Sequence, residues 1–399
     1  MPSLNLHSLF DTRVEGRVAF LDNLTLDPDD RKLMLSARTD IRTRLKARLP
    51  KRIQKKAEDA GQGHIEVPEP RFFTQGSWAY KTLNAPCRAP QQADLDDGAY
   101  LPFSYIESQP PAQMSALLFE AVEEVLSELA DDKGWAIDTK NDNCTRLIID
   151  DNKHIDVPVY SISDSEFETL VKASMEMYRM VLENAAFDSA DYAERADEQE
   201  WHMMPTEGVL MATKNRGWQD SDPRPIRDWV VEQVELKGEQ LRRVMRYLKA
   251  WRDFQKWDKD DPKSILLMVA ADAAFDMATE KRDDLALLKV LRRLPDILRG
   301  QVINPASRDK PLNEQEDLAK RLDSKGIRDD VIARIEYFAG QLEYAIDTCG
   351  VPAKACEILI EHLGDRLPND PDRVIQSTVQ SQPAQKTAAV PPLGKATAG

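Results

Sequence analysis

Thr74-Gln75-Gly76-Ser77-Trp78-Ala79-Tyr80-Lys81-Thr82, followed by Asp94-Leu95-Asp96-Asp97-Gly98, carries the densest chemistry in this chain. A glycine beside a small hydroxyl residue lets backbone N–H groups and one O–H approach a triphosphate that bulkier side chains would hold away. Gln75, Gly76 and Ser77 therefore read as a phosphate cradle. In Asp94-Leu95-Asp96 the carboxylates stand at i and i+2. On a strand they share one face and can share hard divalent cations, while Leu95 faces the core. A third carboxylate is available in His154-Ile155-Asp156-Val157-Pro158-Val159-Tyr160, where apolar residues alternate with Asp156 on the polar face of a half-buried strand. Two strands of one sheet would gather Asp94, Asp96 and Asp156 around two metal ions. Such a site stabilises both the attacking and the leaving oxygen of an in-line displacement. That chemistry is nucleotidyl transfer.

Each piece alone has a blander reading. Gly-Ser pairs are common in turns, and Asp-x-Asp occurs in solvated and calcium-binding loops. A haloacid-dehalogenase reading needs an apolar strand before the acidic pair, but Gln91-Gln92-Ala93 precedes it and Gly98 follows. An EF-hand loop would continue with oxygen ligands where Leu101, Pro102 and Phe103 stand.

Taken in order, Gln75-Gly76-Ser77-Trp78-Ala79-Tyr80-Lys81-Thr82-Leu83, Asp94-Leu95-Asp96-Asp97-Gly98 and His154-Ile155-Asp156-Val157-Pro158 resemble the bacterial CD-NTases, the cGAS/DncV-like nucleotidyltransferases. The likeness is to the branch typified by the cholera cyclic GMP-AMP synthase, and it runs from about residue 30 to about residue 320. It implies an α+β fold, with a polymerase-beta-like nucleotidyltransferase core and a helical C-terminal lobe. It implies two Mg2+ ions, with Mn2+ as a substitute, and ATP and GTP as substrates for cyclic GMP-AMP. By the same resemblance the product would serve anti-phage (CBASS) defence through a product-activated effector protein. A template-free RNA nucleotidyltransferase and a non-catalytic nucleotide-binding scaffold are the competing readings.

The resemblance also assigns residues. Lys249, in Leu248-Lys249-Ala250-Trp251, matches the position that contacts the triphosphate, with Lys237 as its competitor, and Ser264 matches the hydroxyl that follows. Ser221, before Asp222-Pro223, falls near a base or ribose or else caps a helix. Tyr80 is suited to stack on a purine, worth about 1–3 kcal/mol, or is a core tyrosine. Some members are conjugated at their last residue by a ubiquitin-like E1/E2 partner, which makes Gly399 a candidate acceptor.

Composition agrees. A chain of 399 residues with 42% hydrophobic residues can build a sizeable core. The net charge of −15 argues against a broad duplex nucleic-acid surface, which clustered Lys and Arg would carry. Cys87, Cys144, Cys349 and Cys356 show no paired metal-ligand spacing and are expected as reduced thiols. No apolar run reaches the ~20 residues of a membrane helix, and the expected location is the bacterial cytoplasm. The expected organisation is a nucleotidyltransferase core over 1–215, including a bracing helix over 28–49 capped by Asp27; a helical lobe over 216–370 closing the nucleotide cleft; and a disordered tail over 371–399. A long helix over 238–257 carries Lys249, and the charged run 194–200 reads as an exposed face.

Overall fold

The computed structural model of the chain describes residues 3–12, 14–61, 64, 66–102, 111–172, 208–258, 260–277 and 281–376. The charged run 194–200, the rest of 173–207 and Gly399 lie outside the described residues. The first part of the chain contains β1 (Leu4–Asn5), α1 (His7–Phe10), α2 (Phe20–Asn23), α3 (Pro28–Asp59), β2 (Arg71–Gln75), α4 (Gly76–Ala79), β3 (Ala93–Pro102) and α5 (Pro111–Lys133). Strands β4 (Ala136–Asp138), β5 (Thr145–Asp150), β6 (Lys153–Val157), β7 (Val159–Ile162), β8 (Leu210–Thr213) and β9 (Gly217–Asp220) follow. Then come α6 (Arg224–Lys237), α7 (Glu239–Phe254), α8 (Ser264–Ala274), α9 (Asp283–Arg299), α10 (Lys320–Lys325), α11 (Arg328–Glu343), α12 (Pro352–Leu363) and β10 (Ile375–Gln376).

The sheet is mixed and is organised on β3. It pairs antiparallel with β2 and parallel with β6, where Asp94 stands opposite His154 and Asp96 opposite Asp156. Farther along it pairs parallel with β7 in the same register offset, Ala99 opposite Val159. The expected single strand over 154–160 is therefore two, interrupted at Pro158, which has no N–H to donate; its carbonyl accepts from the Ala99 N–H at 2.9 Å. Outer strands β5 and β4 extend the sheet from β6, and β8 and β9 extend it from β7. One face is covered by α3 and α5, whose Met34, Ile41, Leu45, Leu118, Val122 and Leu126 are buried against Leu95, Leu147, Ile155 and Val157.

Helix α3 starts at the expected cap, with Asp27 accepting from the Asp29 N–H at 2.8 Å, but it runs ten residues past 49 and through Pro50. Its buried stripe continues at Leu45, Leu49, Ile53 and Ala57, each four residues apart, while Arg52 and Lys56 pair with Glu124 of α5. Tertiary packing offsets the proline's cost.

The helical lobe has a second core, and the chain's beginning is part of it. Leu4, Leu6, Leu9, Phe10, Phe20 and Leu24 are buried together with Tyr247 and Trp251 of α7 and with Leu287 and Leu291 of α9. Asp284, buried at the start of α9, accepts from the Leu6 N–H at 2.8 Å, and β1 pairs with β10. Packing thus departs from the expected boundary at 215/216: residues 4–24 join the lobe, and β9 stays in the sheet. Order also reaches past 371, because Val374 is buried and Arg373 donates to the Val18 and Ser8 carbonyls. No described helix is long and apolar enough to cross a membrane.

Candidate active site

Because side chains alternate along a strand, Leu95 and Ile155 enter the core under α3 and α5, and Asp94, Asp96, His154 and Asp156 emerge on the other face. Asp94, His154 and Asp156 bring one ligand atom each to within 4.8 Å of one another, a group that could hold a metal ion. The donor set fits a divalent cation: it is rich in carboxylate oxygen, and Asp94 Oδ1 is buried with no hydrogen-bond partner. Asp96 stands beside them. Burial, then the charges of Asp94 and Asp156, hold its carboxyl well above the usual carboxylate range. The cluster thus concentrates negative charge that a bound cation would neutralise.

Asp156 already has one counter-charge. Arg146 of β5 lies opposite it and donates Nε to Oδ1 and Nη2 to Oδ2, each at 2.7 Å. This bidentate pair fixes the plane of the carboxylate.

Gly76 follows β2 directly, with φ at +65°. A Cβ built there would stand 1.9 Å from Asp96 Oδ2, so only glycine lets the loop lie against that carboxylate. A cavity of about 420 Å³ opens beside it, lined by Gly76, Ser77, Tyr80, Asp94, Asp96, Lys249 and Ser264. Sheet and helical lobe supply its two walls. Lys249 is 5% exposed and donates from Nζ to the Thr82 carbonyl at 2.7 Å. Burial, then the nearby Arg252 charge, push its amine down to about 7. Arg252, also on the cavity wall, donates from Nη1 to Ser264 Oγ at 2.5 Å.

Four of the weighed residues do not line this cavity, although Asp156 remains in the group that could hold a metal. The Gln75 side chain is buried on the same sheet face as Asp96, where its amide donates to Tyr160 Oη at 2.8 Å and accepts from Tyr100 Oη at 3.4 Å. Any phosphate contact at Gln75 is left to its backbone. Ser221 follows β9 and does not line the cavity; its N–H points to the Val209 carbonyl at 3.5 Å. Asp156 lies behind the rim, 5% exposed. Lys237 is committed to Asp272 at 2.6 Å. Sequence reasoning missed His154, Arg146 and Arg252. His154 carries the one signal visible in the sequence, since it precedes Asp156 by two and so shares its face; Arg252 sits one helical turn beyond Lys249.

Two family models match. Residues 70–160 match the nucleotidyltransferase domain of the DncV-like cyclic GMP-AMP synthases, and residues 238–377 match the cyclic GMP-AMP synthase C-terminal domain, together more than half of the chain. The chain belongs to the DncV-like nucleotidyltransferases. A Vibrio cholerae protein named cyclic GMP-AMP synthase is 36% identical over 249 residues, which are 61% of this chain and 56% of that relative. An Escherichia coli protein of the same name is 34% identical over 260 residues, 64% of this chain and 59% of the relative. The matched stretch therefore spans less than two thirds of either relative. The Vibrio cholerae DncV structure with the linear intermediate 5′ pppA(3′,5′)pG shares the fold, with a TM-score of 0.71 at 23% identity over 94% of this chain and 100% of that one. A DncV structure with ATP, GTP and 5MTHFGLU2 gives a TM-score of 0.72 at 23% identity over the same shares.

Proposed function

We propose that this chain joins ATP and GTP into cyclic GMP-AMP by two successive nucleotidyl transfers in the one cavity, releasing a second messenger for a separate effector protein. The observation that carries the reading is the meeting, on one cavity, of the Gly76-Ser77 loop, the Asp94 and Asp96 carboxylates, and Lys249 with Ser264 from the helical lobe. The names of the relatives and the nucleotides in the neighbouring structures support the choice of substrates.

Asp94, Asp96 and Asp156 would hold two Mg2+, with Mn2+ as a substitute, and the cation supplies a lowered pKa at the acceptor hydroxyl and neutralisation of the departing pyrophosphate. The chain's own residues do the rest. Gly76 lets backbone N–H groups close on the donor phosphates, and the Ser77 hydroxyl adds a donor. Lys249 is poised to take up a proton when phosphate charge enters, because the environment that depresses its pKa is then offset by the ligand. Ser264, oriented by Arg252, holds the far end of the triphosphate. Tyr80 offers a face for a purine. The linear intermediate then turns over so that its second hydroxyl meets its own triphosphate.

The test is incubation of the purified protein with labelled NTPs, singly and mixed, with Mg2+, followed by phosphatase treatment and mass spectrometry. A phosphatase-resistant product containing A and G, lost in the Asp94→Asn variant, is the expected result. Label retained on added RNA instead, or nucleotide bound without turnover, would replace this reading with RNA tailing or with a scaffold.

A further inference from the structure

We propose that His154 is itself a metal ligand through Nε2, beside Asp94 and Asp156, so that one of the two cation positions has a mixed nitrogen and oxygen shell and prefers Mn2+, the ion taken above only as a substitute; this rests on the metal-dependent reading above. His154 is only 6% exposed. Both of its ring nitrogens are buried with no hydrogen-bond partner, and so is Asp94 Oδ1, the oxygen nearest to Nε2. A buried polar atom without a hydrogen bond costs about 1–3 kcal/mol, and here three lie on two facing side chains whose one mutual contact, between Nε2 and Oδ1, has ion-pair distance only.

Their spacing is that of ligands around a common centre. Nε2 stands 3.1 Å from Asp94 Oδ1 and 3.9 Å from Asp156 Oδ1. Ligands about 2.1–2.2 Å from one ion stand about 3 Å apart when at right angles and about 4.3 Å apart when opposite. The contact with Asp94 lacks the alignment of a hydrogen bond. A cation between these atoms would satisfy Nε2 and Oδ1 together.

The sheet register explains why the imidazole is there. His154 is the parallel partner of Asp94 on the neighbouring strand, as Asp156 is of Asp96. The site therefore has two cross-strand rungs, one carboxylate with carboxylate and one carboxylate with imidazole. Mg2+ is hard and takes oxygen almost exclusively, whereas Mn2+, though it also favours carboxylate and water and is the weakest binder of the first-row series, tolerates an imidazole ligand better. Exchanging one oxygen for nitrogen thus moves the preference toward Mn2+.

The experiment titrates Mn2+ and Mg2+ separately into the full chain without nucleotide, by calorimetry, and records pulsed electron paramagnetic resonance of the bound Mn2+. The expected result is nitrogen modulation that changes isotope pattern when histidine is ring-labelled with 15N, and that vanishes in His154→Gln. That variant should weaken Mn2+ binding about tenfold or more while changing Mg2+ binding much less. The labelled wild-type protein answers the question even if His154→Gln folds poorly. Bound Mn2+ that is lost in Asp94→Asn, yet shows no nitrogen coupling in the wild type, overturns the proposal and leaves the three-carboxylate reading standing. No bound Mn2+ at all overturns both.

Discussion

At Gly76 two constraints act on a single missing atom: a φ of +65°, and a Cβ that would stand 1.9 Å from Asp96 Oδ2. The strain in Gly76→Ala should cost about 1–2 kcal/mol of stability, but the carboxylate must also move. We expect product formation to fall at least about 100-fold, equivalent to about 2.7 kcal/mol of barrier, with the melting midpoint only modestly lowered; initial rates and a thermal melt separate the two. Lys249 makes the opposite trade. An unfolded lysine keeps its proton up to its ordinary value of 10.5, the folded one only up to about 7. Between those values the unfolded chain binds the extra proton, so this group makes stability rise with pH from 7 to 10.5 and imposes a constant cost below 7. Lys249→Met should therefore stabilise the nucleotide-free protein at pH 7.5 by about 1–3 kcal/mol and flatten that pH dependence, while raising KM for NTP about tenfold or more. Unfolding curves at several pH values, with saturation kinetics alongside, check both halves. Residues such as Asp94, Asp96 and Leu95 were legible because period two is local. Arg146 was not: a regular two-residue hairpin turn at 151–152 would place Leu147 opposite Asp156, and a register shift between Ile148 and Asp150 puts Arg146 there instead. A bulge leaves no compositional trace.

Between elements, one tie between α3 and the sheet is a buried ion pair placed one residue from the site. Arg42 donates Nε and Nη2 to the two oxygens of Asp97 at 2.7 and 2.6 Å, and Thr74 of β2 joins them. Asp97 is fully buried. Removing either partner strands the other charge, so Asp97→Ala and Arg42→Ala should each cost about 3–5 kcal/mol, with the double variant costing less than the sum. Denaturant unfolding of the three variants measures the coupling. The same helix shows the limits of reading elements from sequence. Its N-terminus was visible in Asp27-Pro28, but its end was misplaced, because Pro50 is a breaker by local rules and only the partners Glu120 and Glu124 on α5 reveal that residues 51–59 belong to the helix. The mixed character of the sheet was open to reasoning from strand patterns; the break of the 154–160 strand at Pro158 was not.

At the scale of the whole molecule, the first two dozen residues complete the lobe that carries half of the site. Phe10 meets Tyr247 edge to face at 5.3 Å between ring centroids, and Phe20 stacks on the same ring at 5.6 Å. Tyr247 lies on α7, two residues before Lys249, and its hydroxyl donates to the fully buried Asp283 at 2.8 Å. Burial raises the Asp283 pKa, but Arg243, Gln240 and Tyr247 pull it further down, to below the usual carboxylate range. Its contribution is therefore present above the unfolded carboxylate value and is lost as pH falls below it. No periodicity in the sequence ties residues 4–24 to α7, since the two are more than 200 positions apart and meet only through packing. The tie has a functional consequence that can be measured. Phe20→Ala empties a fully buried ring site and should cost about 3–5 kcal/mol. Because α7 loses the ring that backs it, Lys249 and Arg252 should be held less firmly, so KM for NTP should rise well before the protein unfolds. Phe119→Ala, on α5 and equally buried, deletes a ring of the same size away from α7. If Phe119→Ala at matched stability leaves KM unchanged while Phe20→Ala raises it, residues 4–24 act on the site through α7; equal effects on KM would reduce their role to general stability.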